Sequence, residues 1–189
     1  MPAKTLAEYV ALAKQGGTYA NFTSAALGSL PHFFGILFAR TAGLQLTYVP
    51  YKGAAQVLPA LLAGEVPAAV LPLADLGTLA KSGKGRILAS SGAQRAPQFP
   101  DVPTFKESGY DIEGAAWYGL FAPAGTPKEV VDRLGAAACD AIHQPDVKAR
   151  LQAMDLEPTG LGPAEMAAIL RADYDKWGPI IRASGFKAD

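Results

Sequence analysis

Four side chains with a hydroxyl or imidazole group lie between positions 23 and 32, namely Thr23, Ser24, Ser29 and His32. Two kinds of chemistry use these groups. A serine beside a histidine pairs a nucleophile with its general base, whereas hydroxyl, imidazole and backbone N–H groups together bind anions. Gly28 lies among them and, having no side chain, lets a ligand approach the backbone closely.

The segment around these residues has the pattern of a strand that turns into a helix. Ser29 suits the N-cap, and Pro31 is tolerated in the first helical turn because its missing N–H is not needed there. A helix is therefore predicted from Leu30 to about Thr41. Its unpaired N–H groups and the positive end of its dipole favour an anion at the loop. Capping and turn stabilisation is the alternative role for Ser24 and Ser29.

A second turn of the same kind is predicted at Tyr51, Lys52 and Gly53, between a strand ending at Tyr48 and a helix over 54–63. In a parallel sheet both turns lie at the edge formed by the carboxyl ends of the strands. Lys52 either supplies a cation to a ligand there or stays solvated.

Strands and helices alternate through the first half of the chain. Strands are predicted at 18–22, 44–48, 66–71 and 86–90, and helices from the Thr5 and Glu8 capping box to Gly16, and at 30–41, 54–63 and 74–81. Pro59 is expected to kink or shorten its helix. This order predicts an α/β fold with a mostly parallel sheet flanked by helices.

The second half has a different pattern. The proline-rich stretch 95–103 predicts a surface loop, followed by a single helical turn at 104–108. A strand is predicted at 115–122, and Thr126, Pro127 and Glu129 predict the start of a helix that runs to about Ile142. Further helices are predicted at 145–154 and 164–184, with a short strand at 156–158 between them and Gly185 as the final stop.

The composition argues against several classes of function. The 189 residues are 50% hydrophobic and 18% charged, with 17 basic and 17 acidic side chains and no basic cluster, so nucleic acid is not a predicted partner. No apolar run reaches the roughly 20 residues of a membrane span, and the start of the chain lacks the apolar core of a signal peptide. Two histidines and one cysteine predict neither a metal site nor a cofactor.

Several segments, in this order, resemble the Bug family, the extracytoplasmic solute-binding proteins of tripartite tricarboxylate transport systems. They are Lys4–Glu8, Gly28-Ser29 with His32, Val49–Gly53, Pro100–Thr104, Trp117–Pro127 and Lys176-Trp177. The resemblance implies a two-lobed fold of the periplasmic-binding-protein type II, which closes on a small organic carboxylate. It also implies a periplasmic location, and the membrane subunits of a transporter as partners.

By the same resemblance, residues 1–114 form the second ligand-binding lobe. Residues 115–189 form the crossover strand and the C-terminal helices of a first lobe whose N-terminal part is expected to be missing. The apolar faces of this second segment then need a partner, because uncovered edge strands and apolar patches associate. We therefore expect the chain to self-associate or to be held by a missing N-terminal segment.

The resemblance also implies which residues bind the ligand. These are Thr23, Ser24, Ala25, Gly28, Ser29, His32, Tyr51, Lys52, Gly53 and Trp117. His32 either donates to a carboxylate or satisfies a buried carbonyl, and Trp117 either walls the cleft or packs in the hinge. Where many family members place an acidic or amide residue, this chain has the apolar run 70–74, which favours a ligand with hydrocarbon or aromatic bulk.

Three other functions compete with a receptor. A hydrolase would use Ser24 or Ser29 with His32 or His143, but the sequence has no G-x-S-x-G nucleophile elbow. The sensor domain of a transcription regulator would need a helix-turn-helix, which these residues do not contain. A structural or interaction module could keep the fold without a ligand.

Overall fold

A computed structural model describes residues 1–187 and divides the chain into two units. The first unit comprises Met1–Ala116 together with the segment from Ile180 onward, and the second comprises Trp117–Pro179. The lobes at 1–114 and 115–189 rest on the resemblance and stay a prediction. Among the residues described, no helix is long and apolar enough to cross a membrane.

The sheet of the first unit has three short parallel strands. They are β1 (Asn21–Ser24), β2 (Thr47–Tyr48) and β3 (Ala69–Val70), in the order β2-β1-β3. The central strand β1 therefore ends between the two turns that follow its neighbours. This topology confirms the predicted parallel α/β arrangement.

The strands differ from the prediction in number and length. The predicted strand at 86–90 is wrong: only Ser90 pairs, in an isolated bridge with Thr104. The predicted strand at 18–22 begins too early, because Gly17–Ala20 forms a 3-10 helix that ties the Asn21 N–H to the Thr18 carbonyl. Strand formation depends on a neighbour with free backbone groups, and local sequence does not encode that neighbour.

The helices of the first unit follow the prediction closely. They are α1 (Leu6–Ala13), α2 (Leu30–Thr41), α3 (Ala54–Ala63) and α4 (Leu73–Lys81). The side chain of Thr5 caps α1 by accepting from the Glu8 N–H at 3.2 Å. Pro59 does not shorten α3; it is exposed, so water can reach the carbonyl that its missing N–H leaves unpaired.

A glycine lets α2 pack closely on β1. A Cβ atom added to Gly35 would lie 2.1 Å from the Phe22 ring, and Phe22 is itself only 3% exposed. Phe33, Phe34 and Phe38 of α2 are buried on the same helix. This packing fixes the start of α2 at the carboxyl end of β1.

The second unit is helical. It contains α5 (Lys128–His143), α6 (Pro145–Ala153) and α7 (Pro163–Ala183), of which the last continues into the first unit. The predicted cap of α5 is wrong: Pro127 is the N-cap, and the Thr126 hydroxyl donates to the Pro123 carbonyl at 2.8 Å. The helices themselves confirm the prediction.

The strands predicted at 115–122 and 156–158 do not form within residues 1–187. The backbone of 115–122 makes no backbone hydrogen bond there. Its side chains are exposed as well, Tyr118 by 84%, Leu120 by 74% and Phe121 by 60%. The segment has the apolar residues of a strand, but a strand needs a partner, and the described residues supply none.

Candidate functional site

The end of β1 carries two hydroxyl groups that hold the following turn. The Thr23 hydroxyl donates to the Val49 carbonyl at 2.6 Å. The Ser24 hydroxyl donates to the Ala26 carbonyl at 3.0 Å and lies 3.2 Å from the Tyr48 hydroxyl, which must then be the donor of that second bond. Both residues are 0% exposed. These contacts are structural, and direct contact of Thr23 and Ser24 with a ligand stays a prediction.

The two predicted turns meet, as expected for neighbouring parallel strands. The Gly53 N–H donates to the Ala25 carbonyl at 2.8 Å, so the turn after β2 is bonded to the turn after β1. The neighbouring Lys52 N–H donates to Gln56 Oε1 at 2.9 Å, and the Lys52 side chain is exposed. Tyr51 is half-buried beside them.

The start of α2 has free hydrogen-bond donors. Ser29 is the N-cap residue, but its hydroxyl donates back to the Ala26 carbonyl at 2.6 Å and caps no helical N–H. Within residues 1–187, the backbone N–H groups of Leu30 and His32 find no acceptor. Both point from the positive end of the helix dipole, which is the usual setting for an anion.

His32 is held in one protonation state by its neighbour. Its Nδ1 accepts from the Gly28 N–H at 3.2 Å, so the imidazole proton sits on Nε2 and the ring is neutral. Burial lowers the pKa of His32, which is 5% exposed. Among the described residues, the buried polar side-chain atoms without a hydrogen-bond partner are the hydroxyl oxygens of Tyr9 and Ser90. Nε2 of His32 is not one of these buried atoms, so it keeps contact with solvent. The Nε2–H group is therefore a neutral donor available to a ligand.

Four aromatic rings surround the His32 imidazole. Their centroids lie at 4.4 Å (Tyr48), 5.3 Å (Phe33), 6.3 Å (Phe186) and 6.4 Å (Phe22). Phe186 was absent from the predicted site, since it comes from the far end of the chain. Its only sequence signal is an aromatic residue directly after the Gly185 stop, which does not say where the ring packs.

Trp117 belongs to the second unit. Its indole N–H donates to Asp173 Oδ2 at 2.6 Å, and its ring lies 6.4 Å from that of Phe121. Its predicted role in a ligand cleft or hinge stays a prediction.

The arrangement does not form a hydrolase site. The His32 Nδ1 is occupied by the Gly28 N–H, and the hydroxyls of Ser24 and Ser29 both donate to the Ala26 carbonyl rather than to an imidazole. A nucleophile and its base need a direct hydrogen bond. Nor does residue range 1–187 hold a cluster of three or more potential metal ligands.

The first unit also has a cavity of about 660 Å³ away from these turns. It is lined by the start of α1 and by residues within 83–88 and 99–103, with Lys4 and Arg86 among them. None of the predicted ligand-binding residues lines it. The candidate site is thus an open turn surface, not this cavity.

Comparisons with known proteins agree with this fold. A sequence model described as "Tripartite tricarboxylate transporter family receptor" matches residues 1–186. The chain spans about half the length of the first curated relatives it matches, at 48%, 56% and 54%.

Three solved structures are similar. Rpa4515 of R. palustris, solved with adipate, is 30% identical with a TM-score of 0.86, covering 98% of this chain and 62% of its own. The periplasmic binding protein BugD is 26% identical with a TM-score of 0.83, covering 100% and 64%. MatC of Rhodopseudomonas palustris, solved with malate, is 29% identical with a TM-score of 0.80, covering 95% and 63%.

The family consists of receptors, which argues against a hydrolase and against the sensor domain of a transcription regulator. The likeness to BugD confirms the predicted periplasmic-binding-protein fold. With a parallel sheet and a family match over nearly its whole length, the chain belongs to the tripartite tricarboxylate transporter receptor family.

Proposed function

We propose that this chain supplies one face of a carboxylate-binding site in a solute receptor. The observation that carries the proposal is the set of free donors at the start of α2, namely the N–H groups of Leu30 and His32 and the His32 Nε2–H. The adipate and malate bound by two similar proteins support a carboxylate as the ligand class. The predicted periplasmic location and the transporter subunits as partners are part of this proposal and rest on the family.

The energetics favour a site that needs a second face. A hydrogen bond to a charged group contributes about 1.5–3 kcal/mol, and the helix dipole adds roughly 0.3–1 kcal/mol. Removing a carboxylate from water costs several kcal/mol unless it is fully paired. Three donors without a second face therefore predict weak binding, with a dissociation constant on the order of millimolar.

The apolar residues after β3 set the expected preference. Leu71 is buried and follows the strand that pairs with β1, so the run 70–74 flanks the same sheet edge. A ligand hydroxyl there would lose water without gaining a partner, which costs affinity. We expect adipate and aromatic acids to bind more tightly than malate.

The experiment is a titration of the ¹⁵N-labelled chain with adipate, malate and benzoate, followed by NMR. Weak binding is then visible residue by residue. The expected result is a shift of the Leu30 and His32 amide signals that saturates with adipate at lower concentration than with malate. Sodium chloride at equal ionic strength is the control. If adipate shifts the amide signals no more than chloride does, carboxylate binding is contradicted. If malate binds more tightly than adipate, only the expected preference is contradicted.

A second candidate, an interaction module, is favoured by the second unit. In the described part of the chain the backbone of 115–122 has no backbone hydrogen bond, and Tyr118, Leu120 and Phe121 are exposed. An unpaired segment is self-complementary, because two copies can pair antiparallel about a two-fold axis. We propose a second copy of the chain as the partner of this segment.

A further inference from the structure

Phe186 lies directly over the turn that begins α2. A Cβ atom added to Gly28 would be 2.4 Å from the Phe186 Cζ atom and 2.9 Å from its Cε1 atom. Only a residue without a side chain allows the ring to come so close. Both residues belong to the first unit, although most of the chain separates them.

The ring also covers two side chains of α2. It meets His32 edge-on at 6.3 Å between centroids and Phe33 edge-on at 5.6 Å. Such aromatic pairs are attractive beyond their burial. Phe186 therefore contacts both partners of one hydrogen bond: Gly28, whose N–H donates, and His32, whose Nδ1 accepts.

The end of α7 delivers the ring to this place. Gly185 has a φ of +72°, the left-handed conformation that stops the helix. The Phe186 N–H donates to the Ser184 hydroxyl at 3.2 Å, and that hydroxyl donates to the Ile181 carbonyl at 2.7 Å. The backbone around Phe186 is therefore anchored to its own helix, so the ring position is defined and not incidental.

We propose that Phe186 is a positioning residue for the carboxylate-binding turn: its ring holds the Gly28 N–H against His32 Nδ1 and so leaves Nε2–H free to donate. This inference rests on the proposed function. It gives a residue near the C-terminus a part in setting the geometry of the turn. Phe186 acts through Gly28 and His32 and need not touch the ligand.

A purely structural role makes a different prediction. If the ring only covered its neighbours, its removal would raise the pKa of His32 and lower stability but would leave the proton of the neutral imidazole on Nε2. Phe186 is half-buried, unlike Phe22, Phe33 and Phe34. Its loss should therefore act mainly on the local hydrogen bond.

The test compares three variants with the unaltered chain. F186A removes the ring, and F186L keeps an apolar cover. F99A removes another half-buried phenylalanine of the first unit, one that lines the cavity away from these turns, and is the matched control. The readouts are the pH titration of the imidazole ¹⁵N signals, the dissociation constant for adipate and the urea midpoint. The chain has two histidines, so His143 is an internal reference.

In F186A we expect the neutral imidazole to lose its single tautomer, because the Gly28 N–H is no longer held against Nδ1. The pKa of His32 should also rise toward its ordinary value, because the imidazole loses cover. Adipate should bind roughly three- to tenfold more weakly, in line with the loss of aromatic contacts. F186L should behave nearly like the unaltered chain in tautomer, pKa and adipate affinity, and F99A should change none of them.

A neutral His32 that keeps its proton on Nε2 in F186A would overturn the positioning role, whatever happens to its pKa and to stability. Unchanged adipate affinity with shifted His32 signals would overturn its link to the ligand. If the unaltered chain does not bind adipate, the proposed function fails. The His32 titration still decides whether Phe186 positions the turn, so the two failures are distinguishable.

Discussion

The backbone N–H of Gly28 donates to Nδ1 of His32 at 3.2 Å, across the first turn of α2. One hydrogen bond thereby joins the loop after β1 to the buried imidazole. It also forces the proton onto Nε2. The donor that stays free on the imidazole is therefore set by a bond within the protein.

The first prediction concerns pH. Burial lowers the pKa of folded His32 below its ordinary 6.5, so the unfolded chain binds the proton more readily. The stability contributed by neutral His32 is therefore fully present above pH 6.5 and is lost as the pH falls through the folded pKa. Urea unfolding from pH 7.5 down to 4.5 measures it.

H32N is the control for this prediction, because an asparagine oxygen can accept from the Gly28 N–H without titrating. The carboxyl groups are the same in both proteins, so their titration cancels when the two unfolding free energies are subtracted. The stability advantage of the unaltered chain over H32N should shrink in acid. An advantage that stays constant or grows would contradict the assigned neutral state.

A second prediction is that G28A destabilises more than G43A. Both glycines have positive φ, +76° and +63°, so both alanines cost roughly 1–2 kcal/mol in the backbone. Gly43 has open space around it, whereas a Gly28 Cβ would overlap Phe186. The overlap should add about 1 kcal/mol. Urea unfolding measures both.

The extra destabilisation of G28A over G43A should vanish in the F186A background, because the added Cβ atom then has no ring to overlap. A double-mutant cycle of G28A with F186A provides this control. An equal excess in both backgrounds would show that the Gly28 to Phe186 contact is not responsible.

The third prediction is that G35A weakens the packing of α2 on β1. Its Cβ would lie 2.1 Å from the buried Phe22 ring, and overpacking of this kind costs about 1–3 kcal/mol. G135A in α5 is the matched control, since its nearest atom would be 3.6 Å away. Alanine there should stabilise the helix by up to ~1 kcal/mol. Equal unfolding midpoints for the two variants would contradict the predicted overlap.

A fourth prediction is self-association through 115–122. The unpaired backbone and the exposed Tyr118, Leu120 and Phe121 favour pairing with a second copy. Light scattering should give a mass that rises with concentration, and L120D/F121D should bring it to the monomer. L62D, at a 53% exposed leucine of the first unit, should leave the mass unchanged. A monomer at all concentrations would disprove it.

Helix prediction succeeded because helices satisfy their backbone locally. α2 and α3 have the predicted bounds, Leu30–Thr41 and Ala54–Ala63, and Ser29 occupies the predicted cap. Each helical N–H pairs four residues back, so capping residues and apolar spacing nearly suffice. The strands at 86–90 and 115–122 failed because their partners are distant in sequence or absent from the described residues.

The candidate site divides in the same way. By itself the sequence determined the turn, its glycine, its helix start and the family to which they belong. Only the tertiary structure decided that the hydroxyls of Thr23 and Ser24 bond internally, that the neutral His32 carries its proton on Nε2, and that Phe186 covers Gly28. The physical reason is distance along the chain: local spacing sets the backbone of a turn, whereas long-range packing sets which of its donors remain free.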